Sequence, residues 1–127
     1  MRAAERARIL RRLRGICLAF PEVEERPSHG APTFFVRGKK SFATLWADGH
    51  HDDHFPHLWL AAAPGVQGEL TAADAEQFFR PPYVGHRGWL GVRLDRGLDW
   101  DELAGIAEDA YAEVAPPKLV DAARLAD

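Results

Sequence analysis

Residues 33–37 and 40–47 are two runs rich in Phe, Val, Thr and Trp, with only Gly38 and Lys39 between them. Such residues fill a pleated, half-buried surface, and a short glycine-containing connection folds two such runs back on each other as a β-hairpin. A chain that holds this hairpin is built around an antiparallel sheet. Phe34, Val36, Phe42, Thr44 and Trp46 fall on alternating positions, as do Phe35, Ala43 and Leu45. Both faces of the hairpin are therefore partly apolar, and one of them is expected to lie under helices.

The helices are visible in the spacing of apolar residues. Ile9, Leu13, Ile16 and Phe20 recur at helical intervals, with Leu10 and Cys17 widening the stripe, and predict a helix over about residues 3–19 that Pro21 ends. Cys17 on that stripe reads as a core residue rather than a nucleophile. Asp99 with Glu102 is a capping box. It opens a helix whose Leu103, Ile106, Ala107, Ala110, Tyr111 and Val114 form a 3.6-residue stripe. Pro116-Pro117 stops this helix, and Pro117 suits the first turn of a last one. Thr71 and Asp74 resemble another N-terminal cap, predicting a short helix to about Phe79. A polar strand over 22–28, a buried strand over 58–63, and a second hairpin (83–84 with 88–95, turning at Gly85-His86-Arg87) complete the expected elements.

The predicted order is one helix, three or four strands, a helix, two strands and two final helices. Strands joined by short turns pair antiparallel, so the expected fold is a two-layer α+β domain over residues 1–127, with the helices on one face. At 46% hydrophobic and 28% charged residues the composition is that of a globular protein, and no apolar run reaches membrane-spanning length. The basic start has no apolar stretch after it of the kind a secretory signal needs, and one cysteine excludes an internal disulfide. A cytoplasmic protein without a membrane partner is the expectation.

Charge is segregated. Residues 1–19 hold six arginines against Glu5, residues 28–47 hold Arg37, Lys39 and Lys40 without an acid, and residues 99–115 hold six acids without a base. The net charge of −3 argues against nucleic-acid contact over the whole surface and leaves room for one basic face.

Several stretches match a known pattern. They are Phe20-Pro21-Glu22-Val23-Glu24-Glu25 after the first helix, Phe34-Phe35-Val36-Arg37-Gly38-Lys39-Lys40-Ser41-Phe42-Ala43 across the hairpin, Pro81-Pro82-Tyr83-Val84-Gly85-His86-Arg87-Gly88-Trp89, and the late Asp99…Leu103…Ala110-Tyr111 helix. Their order resembles the MmcQ/YjbR-like family over nearly the whole chain. The resemblance implies an antiparallel sheet with helices on one side, similar to secretion-chaperone-like folds. It also implies a DNA-binding role in which protruding hairpins act as two wings. On that implication Arg37, Lys39 and Lys40 form one basic wing and His86 with Arg87 the other, giving weak, salt-sensitive contact with phosphates.

Two other classes of function stay open on the residues alone. Trp46, Trp59, Tyr83 and Trp89 can line a pocket between sheet and helix, and the sheet face without helices can receive a small molecule or a protein. His50, His51, His54 and His57, with Asp52 and Asp53 among them, have the side-chain chemistry of a zinc, nickel or copper site. Ser28-His29 beside Glu24 and Glu25 lacks the Gly-x-Ser-x-Gly elbow of a hydrolase, and no phosphate-binding glycine loop occurs. No catalytic residue and no cofactor is expected.

Overall fold

A computed structural model describes residues 2–125; residues 1, 126 and 127 of the expected domain lie outside them. In chain order the elements are α1 (Ala3–Cys17), β1 (Val23–Ser28), β2 (Ala31–Val36), β3 (Lys40–Trp46), β4 (His57–Leu60), α2 (Val66–Ala73), β5 (Phe78–Phe79), a 3-10 turn at Gly85–Arg87, β6 (Leu90–Arg93), α3 (Trp100–Val114) and α4 (Pro117–Leu125). The strands form one six-stranded sheet in the order β1-β2-β3-β4-β6-β5, antiparallel at every pairing. This is the α+β architecture expected from the hairpin and the two amphipathic helices.

Side-chain alternation assigns the two sheet faces. On β1, Glu25 reaches α1, where its carboxylate takes two hydrogen bonds from Arg14 at 2.5 and 2.8 Å. Glu25 pairs with Phe34, so Phe34 and Val36 share the helix side. There the α1 residues Ile9, Leu13 and Cys17 and the α3 residues Leu103, Ala107, Ala110 and Tyr111 join Leu45, Leu58, Leu60, Leu90 and Val92 in one buried cluster. Asp99 caps α3 as expected, accepting from the Asp101 and Glu102 amides at 2.9 and 3.3 Å. Ile106 and Val114, expected on the same stripe, are only partly buried at its edges.

The hairpin departs from simple alternation. Phe34 pairs with Ala43 and Phe35 with Ser41, so Phe42 is an extra residue in β3. The bulge reverses the side-chain phase. Phe42 turns to the helices, with its ring centroid 5.7 Å from Tyr111 and 6.2 Å from Phe20, whereas Thr44 and Trp46 face the other side. The expected grouping of Phe42 with Thr44 and Trp46 is thereby corrected. The turn is also one residue earlier than expected. Arg37 and Gly38 carry the positive φ values (54° and 67°), and Lys39 N–H donates to the Val36 carbonyl. Glycine takes that conformation without steric cost, and Arg37 is held in it by its pairing with Glu22.

Two other expectations fail. The short helix is α2, capped at Gly65; Thr71 lies inside it and its hydroxyl donates to the Gln67 carbonyl at 2.7 Å. A Thr hydroxyl satisfied within the helix cannot cap one. Phe78 and Phe79, expected at the end of that helix, form β5 against β6. The expected second hairpin is absent: 83–84 are not a strand, and 85–87 are a 3-10 turn. Pro81 and Pro82 remove two donors where a strand would need them. Phe79 lies over Gly91, where a Cβ would come within 2.5 Å of the ring.

An aromatic cavity on the open sheet face

The sheet face turned away from α1 and α3 carries a cavity of about 590 Å³, within the ordinary size range of small-molecule sites. Its floor is the sheet itself. Thr33 and Thr44 pair across β2 and β3, with their hydroxyls 3.4 Å apart, and Trp59 pairs with Thr44 from β4. Trp46 stands beside Trp59, ring centroids 5.0 Å apart and planes tilted by 59°.

Two connections build the walls. In the 48–56 loop, His50 and Asp53 exchange backbone hydrogen bonds at 3.0 Å, and this small bridge fixes His50 over the tryptophans. The His50 ring centroid lies 4.3 Å from Trp46 and 4.9 Å from Trp59, and His51 packs 4.1 Å from His50. On the opposite side, the segment between Arg80 and Leu90 is held by Gln67 of α2, whose amide donates to the Gly85 and Trp89 carbonyls at 2.9 and 2.6 Å. That anchor sets Trp89 in the wall and leaves Tyr83 and Arg87 at the rim. Tyr83 is 66% exposed and lies 5.8 Å from His50 and 5.9 Å from His51. The Arg87 guanidinium sits 5.3 Å from the Trp89 ring centroid. A wider depression shares His50, His51 and Tyr83 with the cavity and is lined further by Asp52, Asp53 and Arg80.

Four buried nitrogens of this region lack partners, two of them indole donors. Trp46 Nε1, Trp59 Nε1, His50 Nδ1 and His57 Nε2 are buried and have no hydrogen-bond partner among the described residues. Leaving such a group unpaired costs about 1–3 kcal/mol, so water or an occupant that pairs with the Trp46, Trp59 and His50 nitrogens in the cavity is favoured there. Burial pushes the His50 imidazole below its ordinary range, and the nearby His51 and His57 push it further. Burial lowers His57 as well, against the hydrogen bond between its Nδ1 and the Phe55 carbonyl. Both rings are held neutral at neutral pH.

The sequence-based candidates sort clearly. Trp46, Trp59, Tyr83 and Trp89 come together, on the open face instead of between sheet and helix, because the Phe42 bulge turns Trp46 outward. The expected metal set His50, His51, His54 and His57 is not assembled: among the described residues no three His, Cys, Asp or Glu side chains converge on a common point. His57 is drawn into β4 opposite Arg93 and buried, while His54 stays on the exposed loop. Of the first wing, Arg37 is paired with Glu22 at 3.1 Å, whereas Lys39 and Lys40 are exposed at the start of β3. Arg26 braces the tip, donating to Glu24 and to the Gly38 carbonyl while lying 3.8 Å from the Phe35 ring. Of the second wing, His86 is exposed on the 3-10 turn and Arg87 belongs to the cavity. Glu25, engaged by Arg14 on the helix side, cannot orient His29. Cys17 is buried, and burial with the nearby Glu25 pushes its thiol up to about 12, where it is inert.

Ser28 and His29, which the sequence offers only as a weak hydrolase pair, line the cavity, as do Thr33, Ser41 and Thr44, which are not among the expected site residues. The signal was present in Thr33 and Thr44, polar residues in strands otherwise filled by large apolar ones.

The comparisons with known proteins concern the whole fold. A crystal structure of the Deinococcus radiodurans protein DR2400, a DUF419 domain, superposes with a TM-score of 0.70 at 21% identity, covering 90% of this chain and 83% of that one. At that identity the likeness shows a shared fold. No curated protein matches the chain. No helix among the described residues is long and apolar enough to cross a membrane. The model of the YjbR family matches residues 18–113, from the end of α1 to the last turn of α3, and the chain belongs to that family.

Proposed function

We propose that this YjbR-family chain is a small-molecule-binding module, without a catalytic step, and that its site is the aromatic cavity on the open sheet face. The observation that carries the reading is the combination of stacking surfaces with unpaired donors: Trp46 and Trp59 line the cavity, and both of their buried indole N–H groups lack a partner among the described residues. Thr33, Thr44 and the neutral His50 add short polar groups around the aromatic surfaces, the usual make-up of a pocket that orients a ring. A set of small aromatic compounds, screened by tryptophan fluorescence and by the melting temperature, tests this. A binder at about a hundred times its dissociation constant adds about 2.7 kcal/mol of stability. Trp46→Phe, which keeps an aromatic ring and deletes the N–H, should weaken the binder. A set in which no compound stabilises the protein counts against the reading.

A second reading is DNA contact, favoured by Lys39 and Lys40, which are exposed beside the β2–β3 turn and have no ion pair among the described residues. The acidic α3 packs on the helix side of the sheet, on the far side from the open face. Duplex DNA titrated at two salt concentrations separates this reading from the first, because phosphate contacts weaken steeply with salt.

A further inference from the structure

We propose that the cavity, taken as the ligand site proposed above, selects planar aromatic anions: a flat ring received by Trp46, Trp59 and Trp89, bearing a carboxylate or a phosphate that Arg87 holds at the rim. Charge and donor balance both favour such a ligand. None of the residues lining the cavity is acidic, and Arg87 is the lining residue with a permanent charge. Its guanidinium is exposed on the 3-10 turn, rests near the Trp89 ring, and makes no ion pair among the described residues. This differs from Arg14, Arg37 and Arg93, each committed to a carboxylate. An arginine positioned by an aromatic ring keeps its fork of donors available and matches carboxylate or phosphate oxygens two at a time.

The interior agrees with the rim. The indole N–H groups of Trp46 and Trp59 can only donate, so they call for acceptors on the occupant. Three tryptophans and a tyrosine around one cavity also describe a cage for a quaternary ammonium ion. Here the permanent charge in the lining is the positive Arg87, and Asp52 and Asp53 lie in the adjoining depression beside Arg80 and not in the cavity lining, so a cation is disfavoured and an anion drawn in. His50 reinforces the choice. It is partly buried beside both tryptophans, with its buried Nδ1 unpaired, and a nearby anion would make its protonation easier.

The test uses pairs that share a ring and differ in charge: indole-3-carboxylate against indole-3-carboxamide, and uridine 5′-monophosphate against uridine. Binding to the full chain is measured by calorimetry. One anion should bind about tenfold tighter than its neutral partner, the effect of one charge-assisted contact, and the pair that shows the gap tells carboxylate from phosphate. Arg87→Gln, an exposed substitution that should leave the melting temperature in place, should close the gap between each anion and its neutral partner. Equal binding within both pairs would overturn the anion assignment while leaving a ring-binding cavity intact. A gap that survives Arg87→Gln would overturn the role of Arg87. If none of the four probes binds while other aromatic compounds stabilise the protein, the ligand class is wrong and the cavity reading stands. Tighter binding of tetramethylammonium than of either anion would replace the anion site with a cation cage.

Discussion

The Tyr111 hydroxyl donates a hydrogen bond of 2.8 Å to the Pro21 carbonyl, joining α3 to the turn between α1 and β1 across 90 positions of sequence. The Tyr111 ring stacks 4.9 Å from Phe20 and meets Phe42 edge-on, so one side chain ties α3 and the turn after α1 to the bulge in β3. The same bulge turns Trp46 toward the cavity. Tyr111→Phe keeps the ring and removes the hydrogen bond, and should cost about 1 kcal/mol in denaturant unfolding. An unchanged midpoint would show that the bond adds nothing.

Leu13 and Ile106 lie on the stripes of α1 and α3, but only Leu13 is fully buried. Leu13→Ala should cost about 2–5 kcal/mol, as large-to-small changes in a closed core do. Ile106→Ala should cost clearly less, since its side chain already meets solvent. Equal losses would contradict the placement of Ile106 at the stripe's edge.

His57 is buried with Nε2 unpaired, and its folded pKa lies below the ordinary imidazole value because burial disfavours the charged ring. Asp53 opposes that shift and Arg93 adds to it. In the unfolded chain the ring protonates near pH 6.5, so the unfolded state binds more protons below that point. Stability is therefore full above pH 6.5 and falls as the pH drops toward the folded value, with a slope approaching about 1.4 kcal/mol per pH unit for one ring. His50, also lowered, acts in the same direction. Unfolding free energies between pH 7.5 and 5.5 should show the decline, and His57→Gln should flatten it. A flat parent profile would contradict the burial of a neutral His57.

The DNA reading makes a numerical claim at the hairpin. Each phosphate neutralised on duplex DNA steepens log K against log salt by about 0.9, so replacing Lys39 and Lys40 by Ala should flatten the slope by about two. Fluorescence anisotropy of a labelled duplex at low and moderate salt measures it. No binding at low salt, or identical slopes for parent and double variant, would remove the reading.

The parts of this fold that the sequence makes legible are those where one local rule acts alone. The stripes of α1 and α3, the Asp99 cap and the antiparallel pairing of β2 with β3 follow from period, capping and turn chemistry. The cavity was harder to see because its geometry depends on exceptions. Phe42 breaks the two-residue period, so the face carrying Trp46 cannot be assigned by counting alternate residues. Phe78 and Phe79 follow a Thr-x-x-Asp pattern that imitates a cap, yet they pair with β6 at the sheet edge where the sequence suggests 83–84. The four aromatic residues could be grouped by type, but the threonine floor and the freedom of Arg87 emerge only when three strands and two loops are brought together.

The claim that the cavity is the ligand site is tested most directly on the indole N–H resonances of the four tryptophans. Trp46, Trp59 and Trp89 line the cavity, whereas Trp100 opens α3 on the helix side beneath Arg12 and serves as an internal reference. With nitrogen-15-labelled protein and millimolar aromatic compounds, a binder should shift the Trp46 and Trp59 signals to lower field as their free N–H groups gain acceptors, and leave Trp100 in place. If no compound moves Trp46 and Trp59, or if Trp100 moves as far as they do, the cavity is not the site.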